Sequence, residues 1–304
     1  WQAEAFQRAP ISQYDISMSG GNDKTTFFMA GHFLDQKGIA IGNSLKRFNG
    51  RINLDHKTTS WLTVGMNMSF ARTLNYRVSN DNAFSTPLQS VALSPITPLI
   101  DPRTGLKSAA LDPARGTPNT NYPVYYNPLL NIGGADYNTF VNRMLGNVYG
   151  QAQIAKGLSF RTEFGVDMLN QTEEAYYGPV TVRNSEYPRG GGFTSADQIL
   201  NYTTNNFFRY TTNVKDVHSF DVVAGMSYQD QNLFTQGATG EAFPSSAYKK
   251  LVSTGTKPDA TSTETEFSFL SYFSRVNYKL MDKYLVALSG RFDASSRFSP
   301  NNRW

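Results

Sequence analysis

Long runs of two-residue alternation between apolar and polar side chains limit this chain to very few architectures. Successive side chains of a strand point to opposite faces, so such runs build sheets with one apolar and one polar face. In Gln13–Gly20, Tyr14, Ile16 and Met18 fall on one face, and Asp15, Ser17 and Ser19 on the other. The GGND turn at Gly20–Asp23 leads directly into Thr25–Leu34. Lys46–Lys57 sets Phe48, Gly50, Ile52 and Leu54 against Asn49, Arg51, Asn53 and Asp55. After the turn at Thr58–Ser60, Leu62, Val64, Met66, Met68 and Phe70 alternate with Thr63, Gly65, Asn67 and Ser69.

The same hairpin pattern returns three times. Asn142–Ile154 turns through Ala155-Lys156-Gly157 into Leu158, Phe160, Thr162, Phe164, Val166 and Met168. Ile199–Asn213 turns through Val214–Val217 into Phe220, Val222, Ala224, Met226 and Tyr228. Phe267–Leu280 turns through Met281–Lys283 into Tyr284, Val286, Leu288 and Phe292. The pattern predicts about ten strands in five hairpins. Tight turns alternate with long connections at Thr73–Phe140, Gln171–Gln198 and Phe234–Glu266; Gly38–Ser44 is the short exception. In an antiparallel meander this places short turns at one rim and large loops at the other, as in an all-β transmembrane β-barrel.

A soluble sandwich also alternates, but its strands usually run to about five or six residues, whereas several runs here reach about ten to fifteen, enough to cross a bilayer obliquely. The polar face would also place Arg51, Asp55, Arg161, Glu163, Asp167, Asp221, Arg275 and Arg291 in a sandwich core, a costly burial unless they line a hydrated lumen. These eight are the candidate lumen-facing residues. Mean hydropathy of −0.42 does not oppose a membrane, because only every second strand residue need be apolar. Aromatics reach 13% while charged residues are only 17%. Trp61, Tyr278 and Tyr284, beside tight turns, suit an interfacial belt.

The net charge of +4 is spread along the chain without a basic block, so nucleic acid is not an expected partner. With no cysteine there is neither a disulfide framework nor a thiolate metal site. His32, His56 and His218 lie in different hairpins, without the spacing of a zinc motif, and no nucleophile elbow occurs. Glu173 and Glu174 are adjacent, so on a strand they point apart. Neither catalysis nor a metal or cofactor is expected.

In the long connections, Asn82–Leu93 has the pattern of a short helix ending before Pro95, and Pro95–Asn131 reads as irregular but packed. Arg189-Gly190-Gly191-Gly192 reads as a flexible loop segment. Tyr122, Tyr125, Tyr126, Tyr176, Tyr177 and Tyr187 are placed in loops. Aromatic rings there serve either to stack on a ligand or lid, or to pack the loops and outer belt; packing is the favoured role.

Three stretches resemble the SusC/RagA-like family of TonB-dependent outer-membrane transporters: YDISMSGGNDKTTFFMAGHFLDQKGIAIG (Tyr14–Gly42), KRFNGRINLDHKTTSWLTVGMNMSF (Lys46–Phe70) and FLSYFSRVNYKLMDKYLVALSGRFDASSRFSPNNRW (Phe269–Trp304). The last ends on a family signature, with Ser299 where a glycine is usual. The resemblance implies a multi-pass barrel of about 22 strands in the bacterial outer membrane, filled by an N-terminal plug. Residues 1–304 are then one partial barrel domain. The implied function is active import of a glycan or peptide ligand, captured under a SusD-like surface lipoprotein and driven by the TonB–ExbB–ExbD complex. Outer-membrane lipids are the further implied partner. A siderophore or cobalamin receptor without a lid, an outer-membrane enzyme and a plain structural barrel are the rival readings.

Overall fold

The computed structural model describes residues 1–77, 86–112, 114–123, 127–181 and 187–304. Ten strands form one antiparallel sheet: β1 (Ile11–Gly21), β2 (Thr25–Lys37), β3 (Ser44–Lys57), β4 (Leu62–Arg77), β7 (Ala135–Ala155), β8 (Leu158–Tyr177), β9 (Gly191–Val214), β10 (His218–Glu241), β11 (Ala260–Leu280) and β12 (Tyr284–Ser295). Each pairs with its neighbour in this order, which is the meander expected from the sequence, and β1 and β12 are the open edges. A two-stranded ladder, β5 (Leu111–Asp112) with β6 (Thr117–Pro118), lies within the β4–β7 connection.

Five tight turns form one rim. At two of them consecutive residues take left-handed backbone angles: Lys215 and Asp216 (φ 54° and 55°), and Met281 and Asp282 (φ 50° and 55°). Two positive φ values in succession define the mirror-image turn whose twist matches that of the flanking strands. Trp61 and Tyr284 are exposed beside this rim, while Tyr278 stacks on Phe220 with ring centres 4.8 Å apart.

The strands extend well beyond the alternating runs at the opposite rim. β8 has 20 residues and β9 and β10 have 24 each. The connections therefore shrink to 78–134, 178–190 and 242–259 rather than the wider spans read from the sequence. Above the apolar band both faces turn polar, as at Asn170, Thr172 and Glu174 on β8. Alternation is then lost, yet the backbone ladder continues. About ten residues cross the hydrocarbon, so strands of this length stand clear of it.

Register sorts every strand into the same two faces. Directly paired residues share a face, and the apolar one carries Val148, Phe164 and Leu200, all about half exposed although they lie in the middle of the sheet. A sheet packed against a second layer would cover such side chains; a hydrocarbon-facing wall leaves them bare. Buried apolar side chains collect instead mostly at the long-loop rim, among them Leu93, Leu129, Leu130, Tyr176, Tyr177 and Phe243. No described helix is long and apolar enough to cross a membrane, which says nothing about strands.

The described parts of the β4–β7 connection are packed, as its composition implied. Helix α2 (Thr86–Ala92) falls within the expected helix, whose Asn82 and Phe84 lie outside the described residues. The short helix α1 (Gln2–Ala5), which no sequence pattern marked, sits against it. The glycines of Arg189–Gly192 are less free than expected: Gly191 and Gly192 open β9, pairing with Tyr177 and Tyr176. A Cβ on Gly192 would come within 2.2 Å of the Ala175 carbonyl, so this position needs glycine for close backbone approach rather than for mobility.

Candidate functional site

All eight charged residues singled out by parity lie on the polar face, as the register requires. The structure brings three of them together. Asp55 on β3, Gly65 on β4, Tyr149 on β7 and Glu163 on β8 form one cross-strand row. Gly65 leaves β4 bare there, and the Tyr149 ring crosses it to donate its hydroxyl hydrogen bond to Asp55. The Arg161 guanidinium lies 3.7 Å from the Tyr149 ring centre and donates from Nε to Glu163 at 2.6 Å. Asn205 on β9 adds a 3.4 Å hydrogen bond to Glu163.

Two other residues of the eight are held by arginines that the sequence did not single out. Arg143 forms a bidentate pair with Asp167 (2.9 and 2.7 Å), and Arg209 forms another with Asp221 (2.9 Å for both bonds). Arg51, Arg275 and Arg291 donate to Asn53, Asn277 and Asp293 on their own strands, and Arg291 also donates to Ser271 on β11 at 3.0 Å. Near the loop rim, Arg77 and Thr139 both donate to Glu173 at 3.1 Å, and Arg77 lies over the Tyr137 ring. Parity alone would have added Arg143, Arg209 and Tyr149 to the polar face; their partners depend on register.

This face is polar and open rather than packed. Arg143 and Arg209 keep half or more of their side-chain surface exposed. A hollow of about 660 Å³ runs along it from Arg51 and Asn53 past Asn67 and Asn147 to Asp167 and Asn201. Asn67 donates to Asn147 at 3.2 Å, leaving a floor of amides and paired charges. Such a floor offers hydrogen bonds from amides, hydroxyls and paired charges. The histidines remain apart, bonded to Asp15, Thr25 and Tyr278 respectively. Among the described residues no group of three or more His, Asp or Glu gathers as a metal site would need.

The loop aromatics divide. Tyr176 and Tyr177 are not loop residues; they end β8 and are each 3% exposed. Tyr176 meets Phe243 edge-on (5.0 Å) and Tyr177 stacks with Tyr187 (6.3 Å), so these rings pack the base of the loops. Tyr122 is half-buried under the Arg103 guanidinium, 5.6 Å from its ring centre. Tyr125 and Tyr126 lie outside the described residues. Lys249 and Lys250 clamp the 242–259 loop to Asp136 and Glu174, at 2.6 and 2.5 Å.

The fully buried Asp101 organises the described segment around residues 100–121. Its carboxylate accepts from the Arg103 backbone N–H (2.9 Å) and the Asn121 amide (2.6 Å). The Arg103 N–H is the main reason its pKa lies below the usual carboxylate range; burial opposes this, and Asn121 and Asn119 reinforce it. A depressed carboxyl adds stability that is present above its unfolded pKa and is lost as pH falls through the folded value. The protection factors of residues 100–107 against hydrogen exchange should therefore stay high at neutral pH and fall below about pH 4, the unperturbed aspartate range. Protection unchanged to strongly acid pH would show that Asp101 does not hold this segment.

These features define a class: an antiparallel meander with one apolar face, one polar face and unequal rims, the architecture of a segment of a transmembrane β-barrel wall. No family model matches the chain. It is 26% identical over 97% of its length to a TonB-dependent receptor of Formosa agariphila, and 25% identical over its full length to the TonB-dependent receptor SusC of Bacteroides thetaiotaomicron. Among solved structures, the RagAB peptide importer in its open-open state superposes with a TM-score of 0.81 at 25% identity, over all of this chain and 33% of that one. The chain thus resembles TonB-dependent receptors of the SusC and RagA kind, as its hairpin sequences indicated, and it spans about 30% of the length of the curated relatives it matches.

Proposed function

We propose that this chain forms one wall of an outer-membrane transporter that imports large nutrients, oligosaccharides or peptides, with TonB-supplied energy. The observation that supports this most directly is the polar face: paired charges and amides continue from strand to strand opposite a bare apolar face. In this reading Arg51, Asp55, Arg161, Glu163, Asp167, Asp221, Arg275 and Arg291 face the lumen. Most of these charges are paired, with Arg51 and Arg275 bonded to amides and Asp55 to a phenol, so the path carries no strong net field and a bulky polar ligand can slide past without being held at any one residue.

The packed loop cluster stands at the outer rim, where a SusD-like lipoprotein would close over the ligand. The TonB–ExbB–ExbD complex would act on a plug outside this segment. The intact protein performs no covalent chemistry in this scheme. Deleting the gene should abolish growth on an oligosaccharide or peptide mixture as sole nutrient, and the tagged protein should bring down a surface lipoprotein. A growth defect confined to iron or cobalamin limitation, with no lipoprotein, would favour the chelate-receptor rival. Hydrolysis of the nutrient by purified protein would overturn the transporter reading.

A further inference from the structure

The apolar face has a trough beneath β2 and β3. Gly31 and Gly50 face each other across these strands, between Ile16 on β1 and Phe70 on β4. A Cβ on Gly50 would meet nothing within 4 Å, and one on Gly31 would only touch Ile16 at 3.4 Å. The glycines therefore leave open space rather than permitting a close contact. The resulting hollow, about 580 Å³, is walled by apolar side chains, with Met29 and Met68 among them. Unbranched methionines adapt their shape to what lies against them.

One register step nearer the long-loop rim runs a row of different character: Tyr14, Phe33, Phe48 and Arg72. Phe33 packs on Tyr14 and Phe48 with ring centres 6.2 and 4.7 Å away, an aromatic girdle like those at bilayer interfaces. Arg72 is exposed on this face and has no ion pair or hydrogen bond from its guanidinium among the described residues. It stands ten residues beyond the start of β4 at Leu62, about the length of strand that crosses the hydrocarbon. The charge is thus at headgroup height, directly above the trough. The neighbouring Lys46 is by contrast paired with Asp35 at 3.5 Å.

We propose that this surface is a binding site for a phosphate-bearing membrane lipid of the outer leaflet, one acyl chain lying in the Gly31–Gly50 trough and the phosphate on Arg72. An unpaired guanidinium beside apolar surface matches an anionic headgroup joined to a hydrocarbon chain. Arg binds phosphate through a bidentate fork, which its free state here leaves available. The site depends on the outer-membrane placement of the sheet but not on nutrient import, so failure of the growth test would leave it standing.

The test uses the full-length protein in detergent, with native mass spectrometry counting lipids retained as phosphatidylglycerol or diacylglycerol is added. Folding of each variant is checked by its heat-dependent electrophoretic mobility. Wild-type protein should retain one phosphatidylglycerol more tightly than diacylglycerol. Arg72→Gln should weaken phosphatidylglycerol about tenfold, the worth of one charged hydrogen-bond pair, and leave diacylglycerol unchanged. Gly50→Leu should weaken both lipids. Gly290→Leu, which fills equally open space on the same face at β12, should weaken neither. If Gly50→Leu does not fold, the Arg72→Gln difference between the two lipids decides alone. Equal retention by wild type and Arg72→Gln, equal loss with Gly290→Leu, or displacement of the lipid by inorganic phosphate would overturn the proposal.

Discussion

Replacing Phe164 with arginine should lower the stability of the membrane-inserted barrel by about 2–4 kcal/mol, the cost of a cation near the bilayer midplane on a barrel's lipid face. Phe164 lies on the apolar face of β8, six residues from the tight-turn end at Leu158, and it is 49% exposed in the middle of the sheet. Water would tolerate that arginine; hydrocarbon would not. Asn205→Arg is the matched control, since Asn205 lies on the polar face opposite Glu163 and would gain a carboxylate neighbour. Denaturant unfolding of the full-length protein in lipid vesicles should show the large loss for Phe164→Arg and a change of less than about 1 kcal/mol for Asn205→Arg. Equal effects, or the reverse order, would mean that the two faces have been assigned to the wrong solvents.

Gly65→Val should cost about 2–3 kcal/mol, an overpacking penalty concentrated in one cluster. A Cβ at position 65 would fall 2.5 Å from both Asp55 Oδ1 and the Tyr149 ring, so the ring must leave β4. That breaks the Tyr149–Asp55 hydrogen bond and removes the surface on which Arg161 rests. Tyr149→Phe is the graded companion. It keeps the ring and the Arg161 contact, loses only the hydroxyl, and should cost about 1–2 kcal/mol. The two should not add, because valine at 65 already removes what the hydroxyl contributes. Additive losses in the double variant would show that Gly65 and Tyr149 act separately.

Which elements the sequence revealed follows from how local their causes are. Parity along one strand settles a residue's face without knowing its neighbours, so Arg51, Asp55 and Asp221 could be placed on the polar face at once. Tight turns betray themselves in the few residues between alternating runs, as at Met281–Lys283. The upper ends of β8, β9 and β10 gave no such sign: where both faces meet water, as around Glu174, selection for alternation disappears although the hydrogen-bonded ladder persists. Sequence alone therefore places Tyr176 and Tyr177 among the loop aromatics, whereas they end a strand and are covered by Phe243 and Tyr187.

The alternation that opened the sequence determined, by itself, a meander of long hairpins with one face for hydrocarbon and one for water. The side chain's period of two on a strand makes that a local property. Tertiary structure alone decided which polar residues meet. Tyr149 reaches Asp55 across 94 residues of chain because β4 pairs with β7 in one particular register. It also decided that Gly31 and Gly50 fall side by side beneath Arg72, since a hollow between strands exists only once their register is set.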